Sequence, residues 1–279
     1  MTRIRLHPRR FTLVYILALA IASIPLAHSD TWAQNSGNNR PNPTSTPKPN
    51  TTSPPTKVQS RRATSRLRGL GTREGCPVVD KPLTAIVTPI PTDADSTAAE
   101  TTETLPPATI ADHPTLWFYV PYSPDARLSA EFTLIDEKEN DVYKTTFPLK
   151  EKPGIIGLKL PETLSPLEAG KRYYWVFSVI CQPNNRSQDN FVYGDIERIS
   201  PDSTLQAQLK KMSDPKAQSA LYAEKELWPE ALTTLAQARR RNLQDRTLQA
   251  DWSNLLKSMN LNDIASEPLT SCCQVEEPK

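Results

Sequence analysis

Arg172-Tyr-Tyr-Trp-Val-Phe-Ser-Val-Ile-Cys181 is the stretch that most limits what this chain can fold into. Aromatic and β-branched residues dominate it, and they favour the pleated, half-buried surface of a strand. At period two, Tyr173, Trp175, Phe177, Val179 and Cys181 share one face. Arg172, Tyr174, Val176, Ser178 and Ile180 share the other. The heavier face needs a second layer to cover it. The stretch therefore predicts a two-layer β domain built around one long strand.

Its neighbours follow the same logic. Leu83–Thr88 reads as a short strand ended by Pro89 and Pro91, and Thr92–Pro107 as a polar surface loop. Leu116-Trp-Phe-Tyr-Val-Pro-Tyr122 is a strand apolar on both faces. Leu128, Ala130, Phe132 and Leu134 alternate with Ser129, Glu131 and Thr133, the pattern of a half-buried strand. Val142–Phe147 follows across a polar turn as a hairpin partner. Pro153-Gly154 breaks the chain before Ile155–Leu160, and Phe191–Ile199 returns beside the long strand. About seven strands with short turns match an antiparallel β-sandwich of immunoglobulin-like look over 68–200, a small barrel being the alternative.

After Ser200 the period becomes helical. Ser200-Pro201 and Asp214-Pro215 pair a capping residue with a helix-starting proline, Trp228-Pro229 opens a third helix, and Asp245 caps a fourth. Leu248, Trp252, Leu255, Leu256 and Met259 form one apolar stripe, and Ala231, Leu232, Leu235 and Ala238 another. The fold class is α+β: the sandwich, then a small region of about four helices over 201–262 and a flexible tail over 263–279. Tyr222, Trp228, Ala231 and Ala238 are similar in spacing to one tetratricopeptide unit. A solenoid needs about three such repeats, so a helical cap on the sandwich is expected rather than a peptide groove. Arg239, Arg240 and Arg241 suit the negative end of the third helix.

The destination is written at the other end. Arg3, Arg5, Arg9 and Arg10 precede the uncharged run Phe11–Ala27, and Ala27-His28-Ser29 supplies small residues for cleavage, so 1–29 reads as an export signal. A retained anchor is the alternative. The chain carries 33 Lys and Arg against 31 Asp and Glu, a net of +2. Removing 1–29 takes away four Arg and no acid, leaving −2. Residues 30–75 hold eight Lys or Arg against two acids, which puts −8 on 76–279. Nucleic acid is therefore an unsuitable partner for the folded part. Six prolines between Pro41 and Pro55 mark an extended linker over 30–67. Arg61, Arg62, Arg66 and Arg68 at its basic end are expected to touch solvent, the acidic domain or, weakly, an anionic membrane surface.

Chemistry is constrained mostly by what is scarce. Of three histidines, only His113 lies outside the leader and its boundary, whereas a serine or cysteine nucleophile ordinarily needs a histidine base. The four cysteines are too dispersed for a zinc site, no phosphate-cradling glycine loop is present, and no cofactor is expected. Glu131, Asp136, Asp189, Asp195 and Glu197 sit on or near strands. Two opposed carboxylates can cleave a glycoside, but acids in turns are ordinary surface residues. Trp117, Tyr119 and Tyr174 would form a platform for wall glycan if an exposed sheet brought them together. The four cysteines fit an oxidising compartment and allow three complete pairings. Cys76–Cys181 is favoured, because it pins the start of the domain to its core strand; the adjacent Cys272 and Cys273 are left undecided.

Leu116-Trp-Phe-Tyr-Val-Pro-Tyr122, Ala130-Glu-Phe132, Pro166-Leu-Glu-Ala-Gly-Lys171, Tyr174-Trp-Val-Phe177 and Ile180-Cys181 together resemble a cyanobacterial family of exported proteins, known as domain of unknown function 928. The resemblance runs from about Arg68 into the helical C-terminus. It implies an envelope protein with recurrent cysteines at Cys181 and near the start of the domain, and it brings no activity or ligand. The expected function is that of an exported, non-enzymatic protein-interaction or scaffold module in the periplasm or outside the cell. A wall-binding module is the alternative, and a carboxylate-based hydrolase a distant one.

Overall fold

The period-two stretch forms the longest strand of a computed structural model that describes residues 65–69, 75–90, 105–125 and 127–270. The strands are β1 (Thr84–Ile86), β2 (Ala108–Thr109), β3 (Thr115–Val120), β4 (Ser129–Ile135), β5 (Asp141–Pro148), β6 (Gly154–Lys159), β7 (Lys171–Ile180) and β8 (Asn190–Arg198). They make one sheet in the order β1-β3-β6 and another in the order β2-β8-β7-β4-β5. Helices α1 (Ser203–Lys211), α2 (Pro215–Glu224), α3 (Trp228–Arg241) and α4 (Arg246–Ser258) follow. The fold is α+β.

The strand pairings are antiparallel except for β2, which runs parallel to β8. The expectation of purely antiparallel pairing is corrected there. Two residues at a sheet edge are too few to impose a side-chain period that the sequence could display.

Tyr173, Trp175, Phe177, Val179 and Cys181 are all buried, as the alternation requires. They meet Leu116, Phe118 and Val120 of β3 in one core shared by the two sheets. Phe118 stacks on Phe177 with ring centroids 4.3 Å apart and meets Trp175 edge-on at 5.7 Å. Such aromatic pairs add to simple area burial.

The other face of β3 is buried as well. Trp117 and Tyr119 join Leu232, Leu235 and Ala236 of α3, Leu248, Trp252 and Leu256 of α4, and Met259, Leu261 and Ile264 in a second core. The layers are therefore the five-stranded sheet, the three-stranded sheet, and α3 with α4. A third, smaller cluster of Leu205, Leu221 and Leu227 seats α1 and α2 against Ile110 and Ile199.

Both strand tryptophans lie over a glycine of the neighbouring strand. Trp117 is paired with Gly157 across β3 and β6, and Trp175 with Gly194 across β7 and β8. A Cβ on Gly157 would come within 2.8 Å of the Trp117 ring, and one on Gly194 within 2.6 Å of the Trp175 ring. The absent side chain is what lets each indole lie flat against the sheet.

Capping decides where the helices begin. Asp214 accepts from the amides of Lys216 and Ala217, and Asp245 from those of Thr247 and Leu248, where the sequence places them. Helix α1 starts later than Ser200-Pro201 because Asp202 is the cap, accepting from Leu205 N at 2.7 Å. Arg239, Arg240 and Arg241 occupy the last turn of α3.

The two ends of the described chain close the layers. Arg66 bridges Tyr193 of β8 and Arg68 bridges Thr84 of β1, so one short strap touches both sheets. At the other end Ile155 of β6 donates to Pro268 O and accepts from Thr270 N. Arg68 holds Asp263 through two guanidinium bonds of 2.7 and 2.9 Å, and Lys81 pairs with Glu267.

Replacing Gly194 with alanine is expected to lower stability by about 1–3 kcal/mol, the cost of overpacking a filled core. Urea unfolding measures it. An unchanged midpoint would mean that Trp175 shifts freely and that the glycine is incidental.

Candidate functional site

The covalent anchor comes first. Cys76, ahead of β1, is joined to Cys181 at the end of β7 by a disulfide spanning 105 positions. It ties the entry of the domain to its longest strand. The expected leader over 1–29, the expected linker up to residue 64, Arg61, Arg62, Cys272 and Cys273 lie outside the described residues. No described helix is long and apolar enough to cross a membrane.

Near the disulfide lies a network of paired charges. Arg186 reaches Asp189 at 2.6 Å and Glu131 at 2.9 Å, and Lys144 meets Glu131 at 3.3 Å. Burial raises the Asp189 carboxyl above its ordinary range, and the charge of Glu131 adds to this against the pull of Arg186. Glu131 experiences burial too, but Arg186 and Lys144 prevail and hold it low. Asp195 is raised by burial while Arg172 opposes at 3.5 Å. Asp136 accepts from Asn140 and the Lys138 amide in the β4–β5 turn. These four acids are committed to cations, amides or turn geometry. His113 reaches the Leu164 carbonyl through Nε2, in a loop contact.

The three proposed platform aromatics do not come together. Trp117 and Tyr119 are 1% and 4% exposed, inside the helix-facing core. Trp117 meets Trp252 edge-on at 5.7 Å and donates from Nε1 to Thr233 of α3 at 3.1 Å. Burial, with Glu267, Asp263 and Asp80 nearby, pushes the Tyr119 hydroxyl up to about 12. A platform of Trp117, Tyr119 and Tyr174 is thus corrected: helices cover the side of β3 that carries the first two. Tyr174 lies in the other sheet and points outward, half-buried.

Around Tyr174 a different surface assembles. Register aligns Ile135–Tyr174–Asp195, Thr133–Val176–Tyr193 and Glu131–Ser178–Phe191 in three rows across β4, β7 and β8. Ile135, Tyr174, Val176, Tyr193 and Phe191 are half-buried apolar or aromatic groups on that outward face. Phe191 and Tyr193 stack with centroids 6.2 Å apart. Alternation alone already placed Tyr174 and Val176 there; Phe191 and Tyr193 needed the β7–β8 register.

Arg66 and Arg68, expected to touch solvent, the acidic domain or, weakly, a membrane surface, are engaged within the fold. Arg66 lies over the Phe191 ring at 5.2 Å, and Arg68 keeps the Asp263 carboxyl below its ordinary range. The helical end has its own cation–ring contacts, with Arg239 over Trp252 at 5.6 Å and Arg240 over Trp117 at 5.7 Å. The arginine run that suits the helix dipole also roofs the two indoles.

The model of a family described as Domain of Unknown Function (DUF928) matches residues 68–269. The chain belongs to this family. The matched span opens at Arg68, which holds Asp263, and closes at Leu269, which bridges Ile155. In this DUF928 protein, then, the family unit coincides with the layers and the contacts that shut them. No curated protein matches the chain.

Exchanging both Cys76 and Cys181 for serine is expected to lower stability by about 2–5 kcal/mol, as for loss of a native disulfide closing a long loop. Denaturant unfolding of oxidised wild type against the double variant checks it. Coincident curves would leave the bond without a stabilising role.

Proposed function

We propose that this DUF928 protein is an exported, non-enzymatic envelope module that binds a protein partner through the outward face of its five-stranded sheet. The observation that carries this reading is the row of half-exposed Tyr174, Val176, Tyr193 and Phe191 on that face. Aromatic residues of this kind anchor interfaces, combining a large apolar body with, in tyrosine, a polar tip. The two sheets around one core are read as a β-sandwich of immunoglobulin-like look, which leaves such a face free. Export is supported by the basic and apolar N-terminal sequence and by a disulfide, which persists in oxidising compartments. The proline-rich segment before the domain would hold it away from an attachment point.

The chemistry of the partner follows from charge. Arg172 faces Asp195, and Glu131 is held by Arg186 and Lys144, so the charges on the face are largely satisfied from within. A highly charged partner gains little there. The surface suits a near-neutral partner patch carrying aliphatic or aromatic side chains, with tyrosine hydroxyls for polar contacts.

The test is cross-linking of the mature protein in cells, identification of captured proteins, and binding of the purified candidate to wild type and to a Tyr174→Ala/Tyr193→Ala variant. Affinity is expected to fall about tenfold or more, the effect of truncating interface anchors. Binding that ignores both tyrosines, or capture of wall polymer with no protein, would defeat the reading.

A further inference from the structure

One half-buried acid, its carboxyl turned inward, belongs neither to the sheet face nor to the charge network beside the disulfide. Glu230 stands in the first turn of α3 and points at the segment leaving β2. Its Oε1 accepts from the Thr109 hydroxyl at 2.5 Å, Ile110 N at 2.8 Å and Ala111 N at 3.2 Å. Its Oε2 is closed off from solvent and meets no partner among the described residues. Thr109 is fully buried, and its hydroxyl also accepts from Ala111 N. One oxygen of the carboxyl therefore takes every donor while the other takes none.

That asymmetry matches a neutral acid better than a carboxylate. In the acid, the carbonyl oxygen accepts and the hydroxyl oxygen carries the proton. In the ion, Oε2 would keep charge in a place without a donor, which is costly. Among the described residues no cation pairs with Glu230. Across the helix pair its titratable neighbour is Tyr222 of α2, whose hydroxyl is raised by burial and by Glu230 itself. On the sheet side, the charges beside the three donors are Asp112 and Arg198, which pair with each other.

We propose that Glu230 is a proton-dependent latch that fastens α3 to the segment after β2 and is tightest as the neutral acid. Burial is the largest influence on its carboxyl and raises it above the ordinary glutamate range, against the three donors and its own amide. The sign follows. A carboxyl raised in the folded state contributes stability fully present below its unfolded value, and this is lost as pH climbs through the raised value. The attachment therefore loosens as the surroundings turn from acidic to neutral and alkaline.

The test uses the full mature chain and Glu230→Gln, which keeps the shape and mimics the neutral acid. Between about pH 5 and pH 8, wild-type hydrogen-exchange protection at Ile110 and Ala111, corrected for intrinsic rate, is expected to fall. In Glu230→Gln it is expected to stay flat. The variant should match wild type in Tm at the acidic end and exceed it by about 2–4 °C at the alkaline end. Asp189 and Asp195, also raised, add slopes of the same sign to both proteins, so the difference between the two profiles is the readout. A Glu230→Gln profile parallel to wild type, or a lower Tm for the variant at pH 8, would overturn the latch, the second because it would show that the donors require the ion. Thr109→Val removes one donor and should lower Tm at both ends; no effect would show that the contact fastens nothing.

Discussion

Strand β3 buries both of its faces, and most of the molecule follows from that requirement. Leu116, Phe118 and Val120 fill the core between the sheets, while Trp117 and Tyr119 fill the core beneath α3 and α4. Neither face can be left to water without exposing large aromatic area, at about 25 cal/mol for each square ångström. The helices are therefore not an appendage resting on a finished β domain. They supply the second half of the burial that β3 demands. The Trp117 indole bonded to Thr233 and packed against Trp252 fixes where that helical layer sits.

The same demand explains how the chain ends are used. The helical layer rests on β3 together with Ile86 of β1 and Ile155 of β6, and both ends of the family unit converge at its margin. The strap at Arg66 and Arg68 gives one bridge to each sheet, and the segment after α4 continues along β6 to Thr270. The ion pairs on this seam, Arg68–Asp263 and Lys81–Glu267, are partly exposed and worth at most about 1 kcal/mol each. Backbone bonds and apolar contacts hold the seam, and the charges select its register. The Cys76–Cys181 disulfide adds a covalent tie that no screening by salt can weaken.

Much of this was legible in the sequence. Period two located β7 and β4, and the face containing Cys181 came out buried with its disulfide in place. Asp-Pro and Asp-Arg capping found the starts of α2 and α4. What escaped had physical reasons. β2 is two residues long, and α1 has a competing cap two residues from the Ser-Pro signal. The 116–122 stretch read as apolar on both faces, and that already required two cores. A platform at Trp117 and Tyr119, conditional on an exposed sheet, ran against that pattern. Glu230 carries no signal of its own in the sequence. Its burial depends on Thr109, over a hundred positions away in sequence, and no local pattern carries that information. Docking of Arg66 and Arg68 on the domain was among the expectations, but their partners Phe191 and Asp263 come from distant parts of the chain and no local pattern names them.

Burying the tryptophans of β3 and β7 also narrows where recognition can occur. Trp117 lies over Gly157 and Trp175 over Gly194, so both indoles are locked into the layers rather than offered to a ligand. The face of the three-stranded sheet nearest the helices is covered, and its opposite face is the shared core. Among the sheet faces, only the outward side of β4, β7 and β8 keeps aromatic residues within reach of water. Its flat rows suit a broad contact, because β-sheet side chains standing in register present an even surface rather than a cleft. Glu230 reaches that same sheet at its margin, since it fastens α3 to the segment leaving β2, the edge strand beside β8.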